Sequence, residues 1–386
     1  MKNVLIINQS SELYGADKAI LELINNFPEH YNPIVVLENE GPLKELLKNK
    51  GIQVISSSVI KVKRGILKPT FFIKLPFEII KSIIKIKKAL KGKKIDLIHS
   101  NATSVFIGAF YSFFFRIPHL WHVHEIIVKP KKIAQIYPHI ISFFSTSIIY
   151  NSKASYDHFV NIKKSIYKKS KVIYNGQNRS RPLLNSFKRE LFIEEHLGFN
   201  NSNIIIGLVG RINKWKGHAL LLETFCELVK KYPAIRLVFV GSPPPFQEFY
   251  LNNLNLLILD LKLEDKIKII PFQNQIWNYY DALDISVVPS TEPEPFGLVA
   301  TESMLSMKPV VAADHGGLSE IIVNNETGFL FKPNDSKDLY KKLEKLIVDE
   351  RLRIKFGEKG HKRVTEKFTT KKFASEFTEE YNKLTQ

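Results

Sequence analysis

A chain of 386 residues that is 44% hydrophobic and 11% aromatic can bury large cores and has room for two domains, which excludes a disordered chain. A single cysteine, Cys226, excludes an intrachain disulfide and a cysteine-ligated zinc site. The formal net charge of +18 favours an anionic partner, whether nucleotide, nucleic acid or acidic lipid, and does not choose among them.

In chain order, "NVLIINQ" reads as a buried first strand rather than a signal peptide. No run approaches the roughly 18 apolar residues of a membrane-crossing helix, so a cytoplasmic location is expected. A helix pattern "GADKAILELINNF", a strand "YNPIVVLE", a short helix ending at Gly51 and a strand "IQVISSS" follow. The helix "IKLPFEIIKSIIKIKKALKG" leads to the strands "IDLIHSN", "PHLWHVHE", "TSIIYNS" and "KVIYNGQ". The pattern lapses over 176–203 and restarts with "IIIGLVG", "IRLVFVG", "KIKIIPF", "ISVVPS" and "PVVAAD". Strands alternating with helices predict two parallel sheets with helical crossovers, and a helical tail from about 335, capped by Asp335 or Ser336. Such sheets bind ligands at the carboxyl ends of their strands. Cys226 falls in a helix pattern and reads as a buried thiol.

Two stretches carry chemistry. In "GLVGRINKWKGHALLLETF", Arg211 and Lys216 follow a strand end and precede a helix start, a place for a diphosphate. A solvated basic loop accounts for the spacing equally well. In "PSTEPEPFGLVATESM", Pro295 and Gly297 break the chain between Glu294 and Glu302, which puts Glu294 in a loop and Glu302 in the following helix. Backbone N–H groups of Phe296, Gly297, Leu298 and Val299 would be helix-start donors, and Glu302 could take two vicinal ribose hydroxyls. His122 and His124, two apart on a strand, point to one face; Glu125 points away, which weakens a metal reading.

Taken together these stretches resemble a family 4 glycosyltransferase. The resemblance rests on Glu294-"PFGLVAT"-Glu302, "VGRINKWKG", "VIYNGQN", "DHGGLSEII" with "NNETGFLF", "LYGADKAILEL" and "WHVHE", in order from about residue 3 to 370. It implies a GT-B fold of two facing Rossmann-like α/β domains. The first, residues 1–180, would bind the acceptor and be completed by a crossing helix at 368–386. The second, 181–367, would bind the nucleotide sugar. It implies retaining transfer from a UDP- or GDP-sugar to an acceptor hydroxyl in polysaccharide, capsule or lipopolysaccharide synthesis. Arg211 and Lys216 would neutralise the diphosphate, Glu302 would hold the ribose, and Glu294 with the Phe296–Val299 backbone would meet the donor sugar. Gly15 would admit the phosphate, His124 would lie under the reacting sugar, and Asn175 with Gly176 would sit at a strand end. No Asp-x-Asp motif is present, so the reading requires no cofactor or metal. Departures are the single Gly15 after Tyr14, Asp17 in place of a common glutamate, and "VGSPPPF" and "IIPFQNQ" where turns beside the base usually carry further glycines.

From Lys61 to Lys94 there are 12 lysines and arginines and one acid, Glu78. Ile79, Ile83, Ile86 and Leu90 share one helix face and Lys81, Lys85 and Lys88 another. An ordinary crossover helix is one reading. An anionic membrane surface, helped by the aromatic run 109–118, is the other, and would place the protein peripherally on the inner face of the plasma membrane. Acceptors of such enzymes are often lipid-linked or saccharides. Nucleic acid is disfavoured because no recognition module appears. A GT-B epimerase of nucleotide sugars and a non-catalytic nucleotide-sugar or nucleic-acid binder are the alternative functions.

Overall fold

The computed structural model describes residues 1–61 and 69–386. Lys63, Arg64 and Lys68 of the basic stretch lie outside the described residues. The chain forms two units: Met1–Gly176 with Thr370–Gln386, and Gln177–Thr369.

Among the described residues the first unit has seven strands. They are β1 (Lys2–Asn8), β2 (Tyr31–Leu37), β3 (Gln53–Ser56), β4 (Leu97–Asn101), β5 (His119–Val123), β6 (Ser147–Tyr150) and β7 (Ser170–Val172), in the order β3-β2-β1-β4-β5-β6-β7. The second has six: β8 (Ile204–Val209), β9 (Ile235–Val240), β10 (Ile267–Ile270), β11 (Ile285–Val288), β12 (Val310–Ala313) and β13 (Gly328–Phe331), in the order β10-β9-β8-β11-β12-β13. Every pairing of these strands is parallel. Their near-continuous apolar sequences are those of strands covered on both faces, and Val4–Ile7 and Ile34–Leu37 are wholly buried. In both orders the sheet is wound outward from its middle, so strand order reverses between β1 and β4 and between β8 and β11. At these two switch points adjacent connections diverge and leave a crevice at the carboxyl edge.

The helix Pro69–Leu90 buries Ile79, Ile86 and Leu90, with Ile83 packed against the same core. Its lysines at 81, 85 and 88 are exposed, as the amphipathic pattern predicted. Asp335 caps the helix Ser336–Val348 by accepting from the Asp338 N–H. The final helix, Thr370–Leu384, buries Phe373, Phe377 and Tyr381 in the core of the first unit. One expectation needs correction: Cys226 is half-buried rather than buried. Gly328–Phe331 adds a sixth strand to the five that the sequence pattern named in the second sheet.

Candidate functional site

At the second switch point, the loops after β8 and β11 are locked together. Thr291 N–H donates to the Trp215 carbonyl at 2.8 Å. Gly217, at φ 80, begins the turn into the helix His218–Lys231; a Cβ there would stand 1.9 Å from the Pro289 carbonyl oxygen, so only glycine fits. Asn213 Oδ1 accepts from the N–H groups of Trp215 and Lys216 and sets the curl of the loop. The result delivers Lys216 Nζ to Glu294 Oε1 at 2.6 Å. The two side chains are 13% and 6% exposed, so the pair is largely desolvated, and removing one partner would strand a buried charge. Ser290 Oγ donates to the same Glu294 oxygen at 2.6 Å, and Lys216 also lies over the Trp215 ring at 4.3 Å. Glu292, the neighbouring acid, is exposed.

The backbone of Glu294 is pinned by the loop after β12. Gly317 N–H donates to its carbonyl at 2.7 Å, and a Cβ at Gly316, whose φ is 62, would stand 2.2 Å from that carbonyl. His315 contributes a ring nitrogen 2.8 Å from the Ser290 carbonyl. Phe296 is buried, Gly297 caps the next helix at φ 112, and that helix is Leu298–Leu305. Phe296 is therefore outside the helix, contrary to the sequence expectation, because a positive φ at Gly297 ends the loop. The N–H groups of Leu298 and Val299 belong to its first turn.

Glu302 lies in the body of that helix and is also buried. Its Oε1 accepts from Gln177 Nε2 and its Oε2 from the Tyr280 hydroxyl, each at 2.7 Å. Gln177 is held in turn by the Thr301 hydroxyl at 2.7 Å. Burial and the Glu302 carboxylate drive the Tyr280 phenol well above its ordinary range, so it remains a donor. Arg211 is half-buried on the same loop as Lys216. His218, at the helix start, is pushed down to about 3 by burial and by Lys216, and is neutral.

The first unit's switch point is built from amides. Asp17, in the first turn of the helix Gly15–Asn25, is buried and accepts from Asn8 Nδ2 at 2.8 Å, Ser10 Oγ at 2.8 Å and Tyr14 N–H at 3.1 Å. Burial raises its carboxyl above the usual range, opposed by these bonds. Asn8 Nδ2 also donates to the Ser10 carbonyl, which turns Asn8 Oδ1 towards Asn101 Nδ2 at 2.6 Å. Asn101 Nδ2 donates to the Ala16 carbonyl as well, at 3.0 Å, so its Oδ1 faces His124 Nε2 at 2.8 Å. Backbone carbonyls accept only, so this chain of bonds has one direction and requires the proton of His124 on Nε2. Nδ1 then carries the lone pair, 3.4 Å from Asn151 Nδ2.

Burial lowers His124 to about 3, which makes it a neutral hydrogen-bonding group rather than a base at neutral pH. The His122 ring lies 3.8 Å from that of His124, as expected for two residues on one face. Neither His122 ring nitrogen has a hydrogen-bond partner, and burial holds His122 far below its ordinary range. Glu125 turns away and accepts from the backbone N–H groups of Thr103 and His124. Among the described residues no group of three or more His, Cys, Asp or Glu side chains is placed to hold a metal ion. Asn175 is buried with no partner for its Oδ1, and Gly15 opens its helix beside Ala16.

The sequence singled out Lys216, Glu294 and Glu302 but not their partners Ser290, Gln177 and Tyr280, nor the Asp17–Asn8–Asn101 chain behind His124. The only available signal was asparagine at the ends of two strands, in "IINQ" and "IHSN".

Two parallel, doubly wound α/β units with these strand-end loops define a GT-B glycosyltransferase fold. The model for glycosyl transferases group 1 matches residues 190–363, and that for glycosyltransferase family 4 matches 14–181. The chain belongs to this family of glycosyltransferases. It is 31% identical over 249 residues to the capsular polysaccharide biosynthesis glycosyltransferase CapM of Staphylococcus aureus. That match covers 63% of this chain and 63% of CapM, less than two thirds of the relative's length. Anabaena Alr3699/HepE in complex with UDP-glucose superposes with a TM-score of 0.84 at 25% identity, covering 99% of this chain and 100% of that one. Sucrose-phosphate synthase from Thermosynechococcus elongatus shares the fold, with a TM-score of 0.74 at 18% identity over 100% and 99% of the two chains. Among the described residues no helix is long and apolar enough to cross a membrane.

Proposed function

We propose that the protein is a retaining glycosyltransferase that moves a sugar from a nucleoside-diphosphate sugar, UDP-linked by preference, to an acceptor hydroxyl in cell-surface polysaccharide synthesis. The observation that carries this reading is the desolvated Lys216–Glu294 pair joining two strand-end loops at a switch point. A pair poised this way can be divided by a donor: the diphosphate takes Lys216 and a sugar hydroxyl takes Glu294. Relatives named for capsular polysaccharide and lipopolysaccharide core synthesis support the product class.

Arg211, Lys216 and the first-turn N–H groups of Leu298 and Val299 would meet the charge that grows on the leaving diphosphate. The bond from the anomeric carbon to that phosphate breaks, the acceptor oxygen bonds on the same face, and its proton passes to the departing phosphate oxygen. This route needs no metal. It needs no base either, in keeping with a His124 that is neutral and fixed as the Nε2–H tautomer. His124 would instead orient a hydroxyl through Nδ1, Glu302 would hold the ribose, and Gly15 and Asn175 would border the substrate.

Thermal shift with UDP, GDP, ADP, CMP and NAD tests the donor site. One nucleoside diphosphate should stabilise the wild type, and the shift should vanish in Glu302→Ala. No shift with any nucleotide at millimolar concentration would sink the reading. Product analysis then separates transfer, which consumes an acceptor, from epimerisation, which needs none.

A further inference from the structure

The geometry points to a docking face for an anionic bilayer on the first unit, at the amino ends of β4, β5 and β6, on the sheet edge opposite His124. It deepens the membrane element of the sequence reading and does not depend on the transferase reading.

A crossover helix should present polar residues outward. The helix Pro69–Leu90 does so only in part, since apolar residues are exposed beside its lysines. Besides its buried stripe it exposes Phe77, Ile80 and Ile84, with Phe77 73% exposed. These follow one another at spacings of three and four, so they form a second apolar stripe on the outer side. The neighbouring helix Ile107–Phe115 ends in exposed Phe113 and Phe114, and the helix Lys131–Phe144 in Phe143, 71% exposed. Phe113 packs against Phe143 and edge-on to Phe144 at ring separations of 6.3 and 6.0 Å, so the three rings form one cluster. Isolated exposed apolar residues need no explanation, whereas a cluster of them over three adjacent helices does.

Charge selects the occupant. Between residues 74 and 94 the chain carries eight lysines and one acid, Glu78. Two hollows lie at the foot of this face. The larger, about 660 Å³, has Lys87, Lys93, Lys94 and Arg116 in its wall, with Asp96 as its acid. The smaller, about 360 Å³, is lined by Phe113, Phe143 and Phe144. They share Arg116, Ile117 and Pro118. A cationic hollow continuous with an aromatic one matches a lipid phosphate and the start of its acyl chain. Lys87 Nζ, 5.5 Å from the Phe115 ring centre, ties the basic helix to the aromatic end. A protein partner would be met by apolar residues ringed with mixed charge, whereas this rim is nearly all cationic.

The test is sedimentation of the full chain with phosphatidylcholine vesicles containing or lacking phosphatidylglycerol. Binding is expected to the anionic vesicles, to weaken with salt, and to be much poorer on phosphatidylcholine alone. Lys87→Glu with Arg116→Glu should lower the partition coefficient by at least about fivefold per charge. Phe113→Ser with Phe143→Ser should lower it by about tenfold or more. All four side chains are exposed, and the melting temperature of each variant without ligand reports that it folds. Equal binding to neutral vesicles, or unchanged binding of both double variants, would overturn the proposal. So would concentration-dependent dimerisation without lipid that the phenylalanine variant abolishes, since a second copy would then occupy the face.

Discussion

At the switch point of the first sheet a row of amides fixes the tautomer of a buried, neutral His124; at that of the second, Lys216 Nζ and Glu294 Oε1 meet at 2.6 Å. The two places are equivalent in topology, each at the carboxyl edge where winding reverses. The same fold therefore offers two chemically different crevices. The first links Asn8, Asn101 and His124 by hydrogen bonds of fixed direction and leaves His124 Nδ1 as an acceptor, which suits hydroxyl groups that must be oriented. The second stores opposite charges that a charged ligand can separate, which suits a diphosphate and a sugar. Position in the fold sets where a ligand goes, and the residues chosen for the strand ends set its charge.

The strongest way to break this comparison is Lys216→Ala. Turnover should fall by about a thousandfold, since the leaving charge loses its partner. Stability should fall by about 3–5 kcal/mol, because Glu294 is left buried and unpaired. Adding Glu294→Gln should restore the melting temperature but not turnover. Recovery of both in the double variant would make the pair a structural device only.

Acid titration sharpens the contrast next. Burial lowers His119 to about 4 and His124 to about 3, and holds His99 and His122 well below the ordinary histidine value. The unfolded chain takes up these protons near pH 6.5 while the folded chain does not. Stability is thus complete above about pH 6.5 and declines as pH falls, by up to about 1.4 kcal/mol per pH unit for each histidine. Asp17 and Glu125, raised by burial, act in the opposite sense: they offset part of the loss as pH falls from their raised values towards their unfolded ones. The melting temperature should therefore drop between pH 6.5 and 5. His122→Leu, which replaces a ring with two unpartnered nitrogens, should flatten that drop; an unchanged slope would contradict the neutral core.

A smaller effect tests the amide chain. Asn101→Ala should leave the fold intact and free the His124 tautomer, lowering turnover by about tenfold. Nitrogen chemical shifts of His124 read the tautomer directly, and a proton that stays on Nε2 in the variant would show that Asn101 does not set it. Smallest of all, a chelator should change turnover not at all if Arg211 and Lys216 carry the leaving charge; loss of activity restored by a divalent cation would reverse that assignment.

The doubly wound sheets were legible because β-branched runs such as "NVLIIN" and "IRLVFV" alternate with helix periodicity. Gly328–Phe331 escaped because "GFLF" is four residues with no β-branched member. Glu294 and Lys216 were legible by spacing from glycines and prolines, but their direct contact joins residues 78 apart. Glu302 and Gln177 are 125 apart, and Asn8 and Asn101 are 93 apart. Local pattern carries no information about which distant polar side chains satisfy each other. Asp17 shows the same limit. It looked like a departure from a common glutamate, yet its shorter side chain receives three bonds from Asn8, Ser10 and Tyr14.

The helix Thr370–Leu384 has a consequence for how the protein is made. Its Phe377 stacks 5.6 Å from His99, and its Tyr381 hydroxyl meets His99 Nδ1 at 2.6 Å across 282 residues of sequence. The ribosome delivers this helix after the whole of residues 177–369. Until then the first unit lacks the wall that Phe373, Phe377 and Tyr381 supply against His99 and His122. The first unit, translated first, is thus the one whose core is completed last, after the chain of the second unit has been made.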